Sequence, residues 1–125
     1  MTRSWRRLRM DERNLVEALT AEAGLPSLSV MAPGEVQVSD LSDGGMGSLE
    51  LLPPGVDATV KRRMGWVAAE LEFTDSDGIP VLASLDLDES GRLFELDMFK
   101  ADFSPLVRIS LELRRVNRSP GTFTG

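Results

Sequence analysis

At 125 residues, with 42% apolar and 27% charged side chains, the chain has the size and balance of one ordinary domain able to bury its own core. Its net charge of −6 argues against nucleic acid as a partner, and no window is long or apolar enough for a signal peptide or a membrane span. Cysteine, histidine and tyrosine are all absent, which removes disulfides, thiolate chemistry and the Ser-His and Cys-His nucleophile pairs.

A cytoplasmic protein without cofactor, catalytic residue or tightly held transition metal is therefore expected. Residues 1–125 read as a single domain. Its core covers about 8–114, and 116–125, with Ser119-Pro120-Gly121, reads as a frayed tail.

The first element in chain order is a helix over 11–23. Asp11 is placed to cap it, and Gly24 followed by Leu25-Pro26 stops it. Leu15, Val16, Leu19 and Ala23 form one apolar stripe, so the helix should lie across a sheet. Leu28 and Val30, then Val36 and Val38, alternate with polar neighbours and predict strands separated by the turn Ala32-Pro33-Gly34. Asp43-Gly44-Gly45-Met46-Gly47 interrupts the pattern, and Ser48–Leu52 resumes a strand. Residues 56–65 fit either a short helix or an irregular crossing.

The strand meander from Trp66 onward carries the clearest pattern. A Ser76-Asp77-Gly78 loop pairs Phe73 with Val81, Leu71 with Ala83, Ala69 with Leu85 and Val67 with Leu87. A Ser90-Gly91 loop then pairs Leu87 with Phe94, Leu85 with Leu96 and Ala83 with Met98. Both registers gather the apolar residues on one face, and a slip of one residue would bury carboxylates instead. Val107, Ile109, Leu111 and Leu113 alternate with polar residues and predict a last strand with a basic outer row. The fold class that follows is α+β: an N-terminal helix packed on an antiparallel sheet of about five or six strands, with a C-terminal meander.

Charge is unevenly spread. Residues 66–102 hold ten acidic and only two basic side chains, Arg92 and Lys100, whereas five arginines crowd the first thirteen positions. In the predicted register Glu70, Glu72, Asp86, Asp88, Glu95 and Asp97 share the face opposite the core, with Trp66, Leu82, Leu93 and Phe99 around them. Like charges on adjacent strands cost stability, so such a face is either solvated and partly neutralised or covered by something basic. Apolar groups among the acids favour a docking surface, with Glu70, Glu72, Asp86, Glu95, Asp97, Trp66, Leu82 and Phe99 as the partner-binding set.

Other constellations have plainer readings. Asp75-Ser76-Asp77-Gly78 lacks the flanking ligands of a calcium loop and reads as a hairpin turn. Gly44–Gly47 lacks the lysine of a phosphate loop and reads as a glycine-dependent turn rather than an anion nest. Lys100-Ala101-Asp102-Phe103-Ser104-Pro105 reads as a structural corner.

Two strings are more distinctive than their composition: Asp43-Gly-Gly-Met-Gly-Ser-Leu49 and Leu93-Phe-Glu-Leu-Asp-Met-Phe-Lys-Ala-Asp-Phe-Ser-Pro-Leu106. Over residues 8–109 the chain resembles an uncharacterised family of small bacterial domains, in which a GGMGSL turn precedes LFELDxWK-x-DFSPL. Phe99 stands where that pattern has tryptophan. The resemblance implies the extent of the domain and no activity. Size and acidity are also similar to those of immunity proteins of bacterial toxin systems, an analogy only. The expected function is a non-enzymatic protein-binding module for a basic partner, with a toxin-neutralising immunity protein as the concrete version. The alternative is a small enzyme or ligand-binding domain using the acidic face and Gly44–Gly47. An open face would favour the first and an enclosed polar pocket the second.

Overall fold

A computed structural model of the protein describes residues 3–116. Helix α1 (Met10–Glu22) and the single-turn α2 (Leu28–Met31) accompany strands β1 (Arg6–Arg7), β2 (Gln37–Asp40), β3 (Leu49–Leu52), β4 (Met64–Thr74), β5 (Pro80–Asp88), β6 (Leu93–Lys100) and β7 (Arg114–Arg115). The strands form one antiparallel sheet in the order β1-β2-β3-β6-β5-β4-β7. The class is α+β as expected. Seven strands replace five or six because the edges are two-residue bridges, too short to leave an alternating pattern.

Helix α1 crosses β4 and β5, the first two strands of the meander, and Leu15, Val16 and Leu19 are completely buried there. The cap position is Arg9, not Asp11. The Glu12 carboxylate reaches back to the Arg9 amide at 2.8 Å while Arg6 grips both Glu12 oxygens. An acceptor one turn into the helix, anchored by an arginine fork, thus replaces the expected cap. The predicted strand at Leu28–Val30 is instead α2. Leu28 is buried and Val30 exposed, as two positions on opposite sides of a helical turn should be.

The first hairpin has the predicted register from Phe73–Val81 to Ala69–Leu85. A bulge then shifts it, so that Asp86 faces Val67 and Leu87 faces Trp66. The second hairpin keeps Leu85–Leu96 and Ala83–Met98, but a shift at Asp86/Leu87 pairs Leu87 with Leu93 rather than Phe94. Leu93 is therefore core, 1% exposed, and Phe94 is only half-buried, with the Arg62 guanidinium 5.3 Å from its ring. Gly65 permits the crowded start of β4, since a Cβ there would lie 2.5 Å from the Asp88 carbonyl oxygen.

The last predicted strand is absent. Asp75 Oδ2 and Oδ1 accept the amides of Val107 and Arg108 at 2.8 and 3.0 Å, taking the groups a ladder would use. Ile109 is buried, but Val107 and Leu111 are exposed; only Arg114–Arg115 joins the sheet. Of the expected tail, residues 117–125 lie outside the described residues.

Candidate functional site

The sheet face away from α1 carries the acids because strand alternation places them there. One row runs Glu50–Glu95–Asp86–Val67 across β3, β6, β5 and β4. The next runs Asp97–Ser84–Glu70, and Phe99–Leu82–Glu72 lies one pair further on. Glu70, Glu72, Asp86, Glu95, Asp97, Leu82 and Phe99 thus share the face assigned to them.

Trp66 does not. The bulge puts it opposite the core residue Leu87, where it is half-exposed near Gly91, and Val67, expected opposite Leu87, stands beside Asp86 instead. Asp88 also leaves the set. It is 2% exposed, paired with Arg62 at 3.0 Å, and accepts the amides of Ser90 and Arg92. It closes the hairpin.

The charges on this face are unequally answered. Arg3 pairs with Glu50, and Arg114 with Glu72 at 2.9 Å. Glu70 accepts the Ser84 hydroxyl at 3.4 Å and Asp97 that of Ser48 at 3.5 Å, both long bonds. Among the described residues no cation pairs with Asp86, Glu95 or Asp97. Asp86 is only 8% exposed, and its Oδ1 has no hydrogen-bond partner among the described residues. Burial, then the charges of Asp97 and Glu70, push its carboxyl up to about 6. Burial, followed by Asp86, Asp97 and Glu50, also raises Glu95. No group of three or more such side chains among the described residues is arranged to hold a metal ion.

At the Phe99 end the face becomes apolar. Phe99 and Phe103 meet edge to face, with centroids 5.3 Å apart, and both are substantially exposed. Phe103 is held at φ 63°, an unfavourable conformation for a bulky residue.

The two distinctive strings turn out to be halves of one structural corner. The Asp43 carboxylate accepts the amides of Met46 and Ser48, so an internal anion fills the glycine loop. Burial pushes Asp43 up, but these bonds outweigh it and hold the carboxyl below its ordinary range. The Leu106 amide donates to the Gly45 carbonyl, and a Cβ on Gly47, at φ +99°, would stand 2.9 Å from Leu106. The Ser48 hydroxyl bonds to the Met98 amide and carbonyl. Beneath the corner, Lys100 is fully buried and donates to Asp75 at 2.8 Å, Asp77 at 2.5 Å and the Pro105 carbonyl at 2.9 Å. A cleft of about 250 Å³ opens beside the loop, lined by Arg9, Asp43, Gly45 and Arg108 among others, but not by Glu95 or Asp97.

Sequence reasoning passed over Glu50, Val67 and Phe103. Glu50 sits between Leu49 and Leu51 and was readable as outward-facing, but nothing local says that β3 lies beside β6. Val67 needed knowledge of the bulge, and Phe103 of a loop conformation.

A family model described as "Domain of unknown function (DUF6984)" matches residues 5–110. The chain belongs to this family. The match runs from just before β1 through the corner built by the two strings, in keeping with the uncharacterised family that the strings resemble. No curated protein and no solved structure matches the chain. Among the described residues no helix is long and apolar enough to cross a membrane.

Proposed function

We propose that this protein is a non-enzymatic protein-binding module whose acidic sheet face docks a basic partner. An immunity protein that neutralises a basic bacterial toxin is the concrete version. The observation that carries the proposal is the set Asp86, Glu95 and Asp97, three carboxylates without a cation among the described residues, on the sheet face away from the helix. The exposed Phe99–Phe103 pair beside them supplies contact area that carboxylates alone lack. Opposite charge on a partner would relieve the cross-strand repulsion and speed association.

The competing reading, an enzyme or ligand-binding domain, requires the glycine loop to offer free amides or to share a cavity with Glu95 and Asp97. Asp43 occupies the Met46 amide within that loop and the Ser48 amide just beyond it, and the cleft that Gly45 and Gly47 line is not lined by Glu95 or Asp97, which favours docking.

Affinity capture from the native host tests the proposal, comparing wild type with the Glu95→Lys/Asp97→Lys double variant. The captured partner should be basic, should dissociate as salt rises, since exposed charges are screened beyond about 8 Å at physiological ionic strength, and should be lost from the variant. The variant itself should stay folded, because the change removes like-charge pairs. A partner retained unchanged by the double variant removes the acidic face from the account.

A further inference from the structure

Asp86 stands apart from its acidic neighbours. Glu95 is half-buried and Asp97 exposed on β6, whereas Asp86, on the neighbouring interior strand β5 between β4 and β6, is only 8% exposed. One of its oxygens has no donor among the described residues. A buried acceptor without a partner is destabilising, and more so when it is charged. Proteins retain few such groups, and an explanation is owed for each.

The surroundings specify what would satisfy it. Directly across is Glu95, and Asp97 and Glu70 both face Ser84, two residues along β5 from Asp86. Directly opposed residues such as Asp86 and Glu95 have Cβ atoms roughly 4.5–5.5 Å apart and the diagonal pairs somewhat under about 7–8 Å, and among the described residues no group of three or more such side chains is arranged to hold a metal ion. A planar group with donors on two edges spans such separations. A guanidinium has five N–H donors in a fixed fork, is more weakly hydrated than an ammonium, and so loses less on entering a partly dry site. Among the described residues, arginines that pair with neighbouring acids are already committed. Arg3 holds Glu50, Arg62 holds Asp88 and Arg114 holds Glu72.

We propose that Asp86 is the recognition point for an arginine side chain of the basic partner, neighbouring side chains turning aside so that the guanidinium reaches the buried Oδ1 and bridges to Glu95 or Asp97. This deepens the docking reading and rests on it. The rest of the acidic face then steers the partner, and Asp86 selects arginine over lysine.

The probe is a short peptide, acetyl-Gly-Arg-Gly-amide, titrated into the full chain while the carboxyl carbons of Asp86 and Glu95 are followed by NMR. The arginine peptide should shift Asp86 saturably and lower the pH midpoint of its titration by a unit or more. Acetyl-Gly-Lys-Gly-amide should do so several-fold more weakly, and the uncharged citrulline peptide not at all. Asp86→Asn should abolish the response, while Glu89→Gln, on the exposed hairpin, should leave it intact.

Equal responses to the arginine and lysine peptides, an unchanged response in Asp86→Asn, or no saturable shift at tens of millimolar peptide would each overturn the proposal. The two levels separate cleanly. A host partner lost from Glu95→Lys/Asp97→Lys but bound normally by Asp86→Asn leaves the docking face standing and removes the arginine site. A partner kept by the double variant removes the docking reading itself.

Discussion

Asp75 and Asp86 are both carboxylates withdrawn from water, 2% and 8% exposed, and the fold treats them in opposite ways. Asp75 receives the Lys100 ammonium and the amides of Ser76, Val107 and Arg108. Burial alone would raise its pKa, but these donors outweigh it and bring the group down to about 2. Asp86 has carboxylates for neighbours and rises to about 6. The first is an acid used as mortar: it ties the 103–109 loop to the β4–β5 hairpin where no strand could form. The second weakens the free protein, which is what a site kept ready for an external cation should do.

The largest expected effect breaks the satisfied half of this contrast. Asp75→Ala leaves the buried Lys100 ammonium with one carboxylate, that of Asp77, beside the Pro105 carbonyl, and frees two loop amides. Loss of one partner from a buried pair typically costs about 3–5 kcal/mol, which urea denaturation at pH 7 would measure. Because the folded pKa of Asp75 lies below its ordinary 3.8, the stability it contributes is complete above about pH 4 and is lost as pH falls toward 2. The deficit of the variant should therefore shrink in acid. A cost below about 1 kcal/mol would mean that the corner holds without its carboxylate.

The unsatisfied half predicts the opposite sign. A folded pKa raised from 3.8 to about 6 means that the folded state holds its proton more tightly than the unfolded one. The resulting penalty is complete above about pH 6 and fades as pH falls toward 4. Asp86→Asn should accordingly stabilise the isolated protein at pH 7, by up to about 3 kcal/mol at 1.36 kcal/mol per pKa unit. The gain should vanish near pH 4. Denaturation curves for both proteins across that range decide it. If Asp86→Asn is destabilising at pH 7, the carboxylate is serving the fold, and the contrast with Asp75 collapses.

The same two residues mark what the sequence could and could not convey. Asp86 was placed on the correct face because alternation from Ala83 to Leu87 is local and the hairpin turns fix parity. The bulge that exchanged Trp66 for Val67, and the shift that sent Leu93 into the core, break that parity without any composition signal of their own. Gly65 was the one available hint, since a glycine inside a strand often marks close backbone approach. Lys100 is the harder case. A lysine at the end of an amphipathic strand reads as solvated, and its burial follows from Asp75, Asp77 and Pro105 converging from both sides of it in the chain. The helix at Leu28 escaped for a similar reason. Its single turn is held by Glu17 Oε1 accepting the Leu28 amide, a contact eleven residues away.

The smallest expected effect on stability concerns Phe103, where the two regions meet: its loop is pinned by the Lys100 hub, yet its ring extends the acidic face. Replacing Phe103 by glycine relieves the cost of its φ of 63°, of order 1–2 kcal/mol for a residue with a Cβ. It forfeits an edge-to-face contact with Phe99 worth about 0.5–1.5 kcal/mol. These terms nearly cancel, so Phe103→Gly should change unfolding free energy by no more than about 1 kcal/mol. Its ring is 66% exposed, and little core is lost with it. A residue so inexpensive to the fold, held in a strained conformation with an aromatic ring turned outward, fits the docking contact proposed above. Phe103→Gly should thus weaken capture of the basic partner at least tenfold while the melting temperature barely moves. A variant that binds normally would confine docking to the carboxylates, and one that unfolds would assign Phe103 to the corner instead.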